Sequence, residues 1–188
     1  MEQLKRKTLG KVSFDLKRLT FLVDFLNIVG CKSLQEAGDK AGLTRQMMLY
    51  SFNRDDINIS HIYRIIESYG YELKMEYINP HEENNTPKED NSIEFNIERD
   101  EDDMKKRLSC LKNAIYKYNI SFNKMEQVMH ISRQTISIRF RKDDSLFSML
   151  SDFAEKFNLK LKIDIRKKPV DKQLILEKDT CENLKNED

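Results

Sequence analysis

The side chains best suited to planar hydrogen bonding in this 188-residue chain fall in two identical pairs, Arg45-Gln46 and Arg133-Gln134. A guanidinium offers parallel N–H donors that match the acceptor edge of guanine, and a carboxamide matches adenine. Each pair follows a hydroxyl residue, Thr44 or Ser132, of the type that caps a helix N-terminus. Other chemistry finds less support. His61, His81 and His130 are isolated, no Cys or His spacing suits zinc, and there is no glycine-rich phosphate loop. Asp55-Asp56 and Asp143-Asp144 are paired carboxylates, but each pair follows a segment that should end as a helix. They read as turns or helix-start charges rather than metal ligands. The acidic run Asp100–Asp103 favours the start of the helix after it. No enzymatic activity, cofactor or metal is expected.

The Arg-Gln pairs lie 88 positions apart, and the same offset aligns Asp15–Tyr77 with Asp103–Ile165 without a gap. Ser33/Ser121, Phe52/Phe140, Asp55/Asp143, Asp56/Asp144, Ser60/Ser148 and Leu73/Leu161 are among the identical pairs. The apolar phase is kept too: Leu34, Ala37, Ala41 and Leu43 align with Phe122, Met125, Met129 and Ile131. An internal repeat of this kind marks one structural unit written twice.

Each copy reads as four helices and a strand. The first helix is expected over Phe14–Ile28 and over Asp102–Tyr118. A second starts at Ser33, where Ser33 and Glu36 have the spacing of a capping box, or at Ser121. Thr44 or Ser132 caps the third. The fourth starts near Ser60 or Ser148 and ends at Gly70 or Asn158, residues that tolerate left-handed backbone. The period then changes to two, over Leu73, Met75 and Tyr77 and over Leu161, Ile163 and Ile165. A lone strand leaves its edges unpaired, so strands 72–78 and 159–165 are expected to pair. The domain reading is a first unit 1–78, an acidic linker 79–101 with an alternating segment 92–98, a basic second unit 102–168, and a mostly flexible tail 169–188.

The segment LQEAGDKAGLTRQMMLYSFN (Leu34–Asn53) resembles the phage Cro/repressor type of helix-turn-helix, the xenobiotic-response-element-like family. The matching phrase in the second copy is HISRQTISIRF, His130–Phe140. The turn glycine of that pattern is Gly42, with His130 in its place in the second copy. The small residue before it is Gly38, where the second copy has Glu126. The resemblance implies a mainly α fold of two tandem Cro-like units, each four helices plus a C-terminal strand, with the strands paired between units.

It also implies that the third helix enters the DNA major groove by its N-terminal end. The outward residues would be Thr44, Arg45, Gln46, Leu49, Tyr50 and Asn53 in the first copy, and Ser132, Arg133, Gln134, Ser137, Ile138 and Arg141 in the second. Thr44 and Ser132 could act only as caps. Leu49, Tyr50 and Ile138 could meet thymine methyl groups or simply lie on the surface. Backbone contacts to phosphate would come from the helix starts at Ser33, Ser121, Ser60 and Ser148, and charge neutralisation from Arg54, Arg141 and Lys142.

Charge supports a polyanionic partner. The net charge is +1, yet residues 104–168 carry 16 basic and 6 acidic side chains, against 2 and 10 in residues 79–103. Such segregation suits phosphate attraction by the second unit. No secretory signal or membrane span is apparent, and three cysteines at wide spacing read as free thiols in a reducing cytoplasm. The expectation is a transcription regulator that binds double-stranded DNA through two non-identical half-sites, as a monomeric pseudo-dimer or a homodimer. The alternative is an antitoxin-like or adaptor protein whose helix-turn-helix units act with a protein partner through the linker or tail.

Overall fold

A computed structural model describes residues 5–80 and 107–168. Segment 92–98, most of the linker and the tail lie outside the described residues. The chain opens with a two-stranded hairpin, β1 Lys5–Leu9 and β2 Val12–Leu16. Four helices follow: α1 Thr20–Ile28, α2 Leu34–Ala41, α3 Arg45–Asn53 and α4 Ile59–Ser68. After β3 Tyr71–Ile78 come α5 Ser109–Lys117, α6 Phe122–Met129, α7 Arg133–Lys142 and α8 Phe147–Lys156, and then β4 Lys160–Lys167.

This architecture corrects the expected fold class. The described chain is not a plain tandem of two equal Cro-like units, each four helices plus a strand. It has eight helices and two separate two-stranded antiparallel sheets, one of them an N-terminal hairpin within the first half. The reason lies in residues 14–19. Phe14, Leu16 and Leu19 are buried at 4%, 0% and 0% exposure, but Phe14 and Leu16 alternate as strand residues. Only from Thr20 does the period become helical, so the helix expected from Phe14 begins six residues later. In the second half the described helix begins at Ser109 rather than Asp102. Residues 102–106 of the expected helix lie outside the described part.

The second sheet joins β3 to β4, antiparallel, with Tyr71 opposite Lys167 and Ile78 opposite Lys160. Around it the halves exchange residues. Phe147 of α8 belongs to the core of α1–α4, its ring 5.3 Å from Phe21. Ile59 of α4, 88 positions earlier, and Tyr77 belong to the core of α5–α8. The Tyr77 hydroxyl donates to the Leu150 carbonyl at 3.0 Å, and Arg18 pairs with Asp152 at 3.0 Å. Neither half closes its core alone.

Backbone caps follow the same exchange, and here the aspartate pairs find their use. Asp55 and Asp143, both with positive φ (51° and 49°), turn back within their own half. Asp55 accepts the N–H groups of Lys17, Arg18 and Leu19 at 2.8–2.9 Å, and Asp143 those of Arg107 and Leu108 at 2.9 and 3.0 Å. Asp56 and Asp144 reach across. Asp144 takes the Ser60 N–H (3.0 Å) and hydroxyl (2.6 Å) at the start of α4. Asp56 takes the Ser148 N–H (2.9 Å) at the start of α8. Carboxylates at helix starts satisfy free N–H groups and oppose the helix dipole.

Candidate nucleic-acid interface

Two helix pairs, α2–α3 and α6–α7, present the Arg-Gln dipeptides. Each pair is joined by a three-residue turn, 42–44 or 130–132. The first turn residue is left-handed in both, Gly42 at φ 64° and His130 at φ 55°. Helix starts are set locally: Ser33 Oγ accepts Glu36 N–H, Thr44 Oγ1 accepts Met47 N–H, Ser121 Oγ accepts Lys124 N–H and Ser132 Oγ accepts Thr135 N–H, each at 3.2 Å. The capping box differs by one residue from the expected form, because Glu36 takes the N–H of Lys32 (2.8 Å) rather than that of Ser33.

The two turns are not equally tight. Leu43 N–H donates to the Gly38 carbonyl at 2.8 Å. A Cβ on Gly38 would lie 2.6 Å from the Leu43 carbonyl oxygen, so only glycine fits that approach. Glu126 stands at the equivalent place, and among the described residues no backbone bond closes the second turn from Ile131. Instead the Glu126 carboxylate accepts the Arg133 guanidinium at 2.9 Å and its N–H at 3.4 Å. Asn123 Oδ1 takes a second guanidinium N–H of Arg133 at 2.9 Å.

On α3, Met48 and Phe52 are buried, Phe52 against Phe14 with ring centroids 5.4 Å apart. Thr44, Arg45, Gln46, Tyr50, Asn53 and Arg54 are exposed. Arg54 lies over the Tyr50 ring, 5.0 Å from its centroid, and hydrogen bonds to its hydroxyl. Arg45 has no ion pair among the described residues. Leu49 is half-buried: it packs on the first core and lines a groove together with the hairpin residues Leu9, Lys11 and Val12.

On α7, Ile136 is buried. Ser132, Arg133, Gln134, Ser137, Arg141 and Lys142 are exposed, and Ile138 is half-buried. Arg141 and Lys142 make no ion pair among the described residues. Phe140 stacks on Phe122 at 5.9 Å. Arg139 folds inward to Ser145 Oγ and Met149 Sδ, at 3.3 and 2.8 Å.

Ser60 and Ser148 correct the phosphate reading. Both begin helices as expected, but their N–H groups are held by Asp144 and Asp56 and lie in the seam between the halves. A carboxylate already occupies the place an anion would take. His61 adjoins this seam and lines a groove of about 210 Å³ with Met47, Tyr50, Arg54 and Leu146. Burial lowers its proton affinity below the usual histidine value, Asp144 partly offsets this, and Arg64 adds to it.

Sequence reasoning missed the tie of Arg133 to Glu126. The signal was present, since a carboxylate seven residues before an arginine spans the turn. The described residues hold no cluster of His, Cys, Asp and Glu fit for a metal ion, and no described helix is long and apolar enough to cross a membrane. Comparisons of the chain with family models, curated proteins and solved structures return no match.

Proposed function

We propose that this chain is a sequence-specific double-stranded DNA-binding protein, a cytoplasmic transcription regulator that reads two related half-sites with α3 and α7. The observation that carries the reading is the matched exposure of Arg45-Gln46 and Arg133-Gln134. Each dipeptide starts a capped helix that packs on its partner by its other face. Exposed cations without ion pairs among the described residues lie on the same helices: Arg45 starts α3, and Arg141 and Lys142 end α7. Phosphate attraction and base-edge hydrogen bonding are the two components such binding needs.

The β3–β4 ladder and the exchanged Phe147 and Ile59 hold both helix pairs in one chain, so a monomer suffices as a pseudo-dimer. Half-sites about one helical turn apart, roughly 34–36 Å, fit this class of recognition. They differ in sequence because Tyr50 aligns with Ile138 and because Arg133 is tethered whereas Arg45 is not. Selection of bound duplexes from a random pool, using the full chain, tests the reading. Enrichment of one bipartite site supports it. Recovery of random sequence, or of no DNA at low salt, overturns it.

A further inference from the structure

The N-terminal hairpin has no place in the reading above, yet its turn reaches the same face. Gly10 takes φ 60°, and a Cβ there would lie 2.1 Å from the Lys32 carbonyl oxygen. The turn is therefore pressed directly onto the segment that leads into α2. Leu9 and Phe14 anchor it in the core at 1% and 4% exposure. A groove of about 290 Å³ results, lined by Lys11, Val12, Lys32, Gln35, Arg45 and Leu49 among others. Three elements thus bring Lys11, Lys32 and Arg45 to one depression. All three side chains are exposed, and none has an ion pair among the described residues.

Acidic groups nearby are already engaged. Glu36 accepts the Lys32 N–H and lies 4.0 Å from the Lys40 ammonium. Asp39 accepts the Gln35 amide at 2.6 Å. Lys7, on β1, is neutralised by Asp24 at 2.6 Å, so it adds no free charge. Two of the three positions differ in the second half. Ile120, buried, stands where Lys32 does, and Arg133 is held by Glu126.

We infer that the hairpin is a DNA-contacting element: Lys11 at its turn and Lys32 before α2 grip the sugar–phosphate backbone beside the bases that α3 faces. The inference rests on the DNA-binding reading and deepens it. A groove with two free lysines from two chain segments, open beside the first turn of α3, complements a phosphodiester strand. Base edges are left to Arg45 and Gln46. The clamp makes the first half-site the more firmly held, although the second half carries more positive charge.

The test uses the full chain and the K11A/K32A double variant, with K74A/K162A as a charge-matched control on β3 and β4. Fluorescence anisotropy measures binding to a selected duplex and to a scrambled duplex over a salt series. Loss of two phosphate contacts should make the slope of log affinity against log salt shallower by about two. Between 50 and 200 mM salt, that difference is roughly a tenfold smaller loss of affinity. The ratio of selected to scrambled affinity should stay unchanged, and the control should keep the wild-type slope. An unchanged slope in K11A/K32A, or an equal change in the control, overturns the hairpin contact while wild-type binding still stands. Failure of the wild-type chain to bind either duplex overturns the DNA-binding reading itself, and the inference with it.

Discussion

Replacing Asp144 by Ala removes a side chain that caps α4 from the other half of the molecule. Its carboxylate accepts the Ser60 N–H, the Ser60 hydroxyl and the Ser145 N–H at 3.0, 2.6 and 2.9 Å. Loss of an N-cap costs about 1 kcal/mol, and hydrogen bonds to a charged group are worth roughly 1.5–3 kcal/mol each. These terms overlap, because the same N–H is counted in both. Ser60 is also only partly buried, so water recovers some of the bonding. A net destabilisation of about 2–3 kcal/mol is expected. Asp56→Ala is the internal comparison. Asp56 accepts the Ser148 N–H and the Ile57 N–H at 2.9 and 3.0 Å, and among the described residues the Ser148 hydroxyl adds no bond to it. Its loss should cost less, about 1–2 kcal/mol. Urea unfolding followed by circular dichroism gives both values from the midpoint, provided the slope is unchanged. Because Phe147 and Ile59 sit in each other's cores, both halves should unfold in one transition. An effect of D144A within 0.5 kcal/mol of zero, or two separate transitions in the wild-type chain, would refute the reciprocal cap and the shared core.

Further outcomes follow from the interface and the seam. Glu126→Gln should cost under about 1 kcal/mol of stability, as an exposed ion pair does, yet tighten DNA binding by freeing Arg133. In that background Arg133→Ala should weaken binding more than it does in the wild-type protein, which a double-mutant cycle by anisotropy measures. Gly38→Ala should destabilise by about 1–3 kcal/mol through overpacking against the Leu43 carbonyl, seen as a lower urea midpoint. His61 binds a proton less readily folded than unfolded, so the unfolded state takes up the extra proton. Its contribution is fully present above the unfolded value of about 6.5 and is lost as pH falls from there through the lower folded value. Urea midpoints taken between pH 7.5 and pH 5.5 should therefore fall for the wild-type chain and fall less for H61Q, roughly the window set by that titration.

What was legible in the sequence is mostly local. Thr44 and Ser132 cap α3 and α7 because a hydroxyl three residues before an N–H reaches it without help from elsewhere. Gly42, Gly70 and Asn158 take the left-handed conformation for reasons internal to each residue. The hairpin was obscured because Phe14, Leu16, Leu19, Leu22 and Val23 form one nearly continuous apolar pattern that a helix could also satisfy. Gly10, in the two-residue Gly10-Lys11 turn between Leu9 and Val12, was its one clear turn signal. The reciprocal caps could not be read locally at all. Asp144 acts on Ser60 across 84 residues, and Asp56 on Ser148 across 92. For the same reason Ser60 and Ser148 looked like open anion sites until the opposite half supplied their partners. Leu49 looked outward on a bare helix, yet it packs partly on the first core and shares a groove with hairpin residues.

The most direct test of the central claim is the affinity of Arg45→Ala for the selected duplex and for a scrambled one, at one salt concentration. Arg45 is untethered among the described residues and starts α3, so its guanidinium is the group best placed to read a base. A loss of about 1–3 kcal/mol is expected on the selected duplex, confined to preference in one half-site, with a much smaller loss on scrambled DNA. Equal losses on both duplexes would mean that Arg45 meets only phosphate, and would contradict the assignment of α3 as a recognition helix.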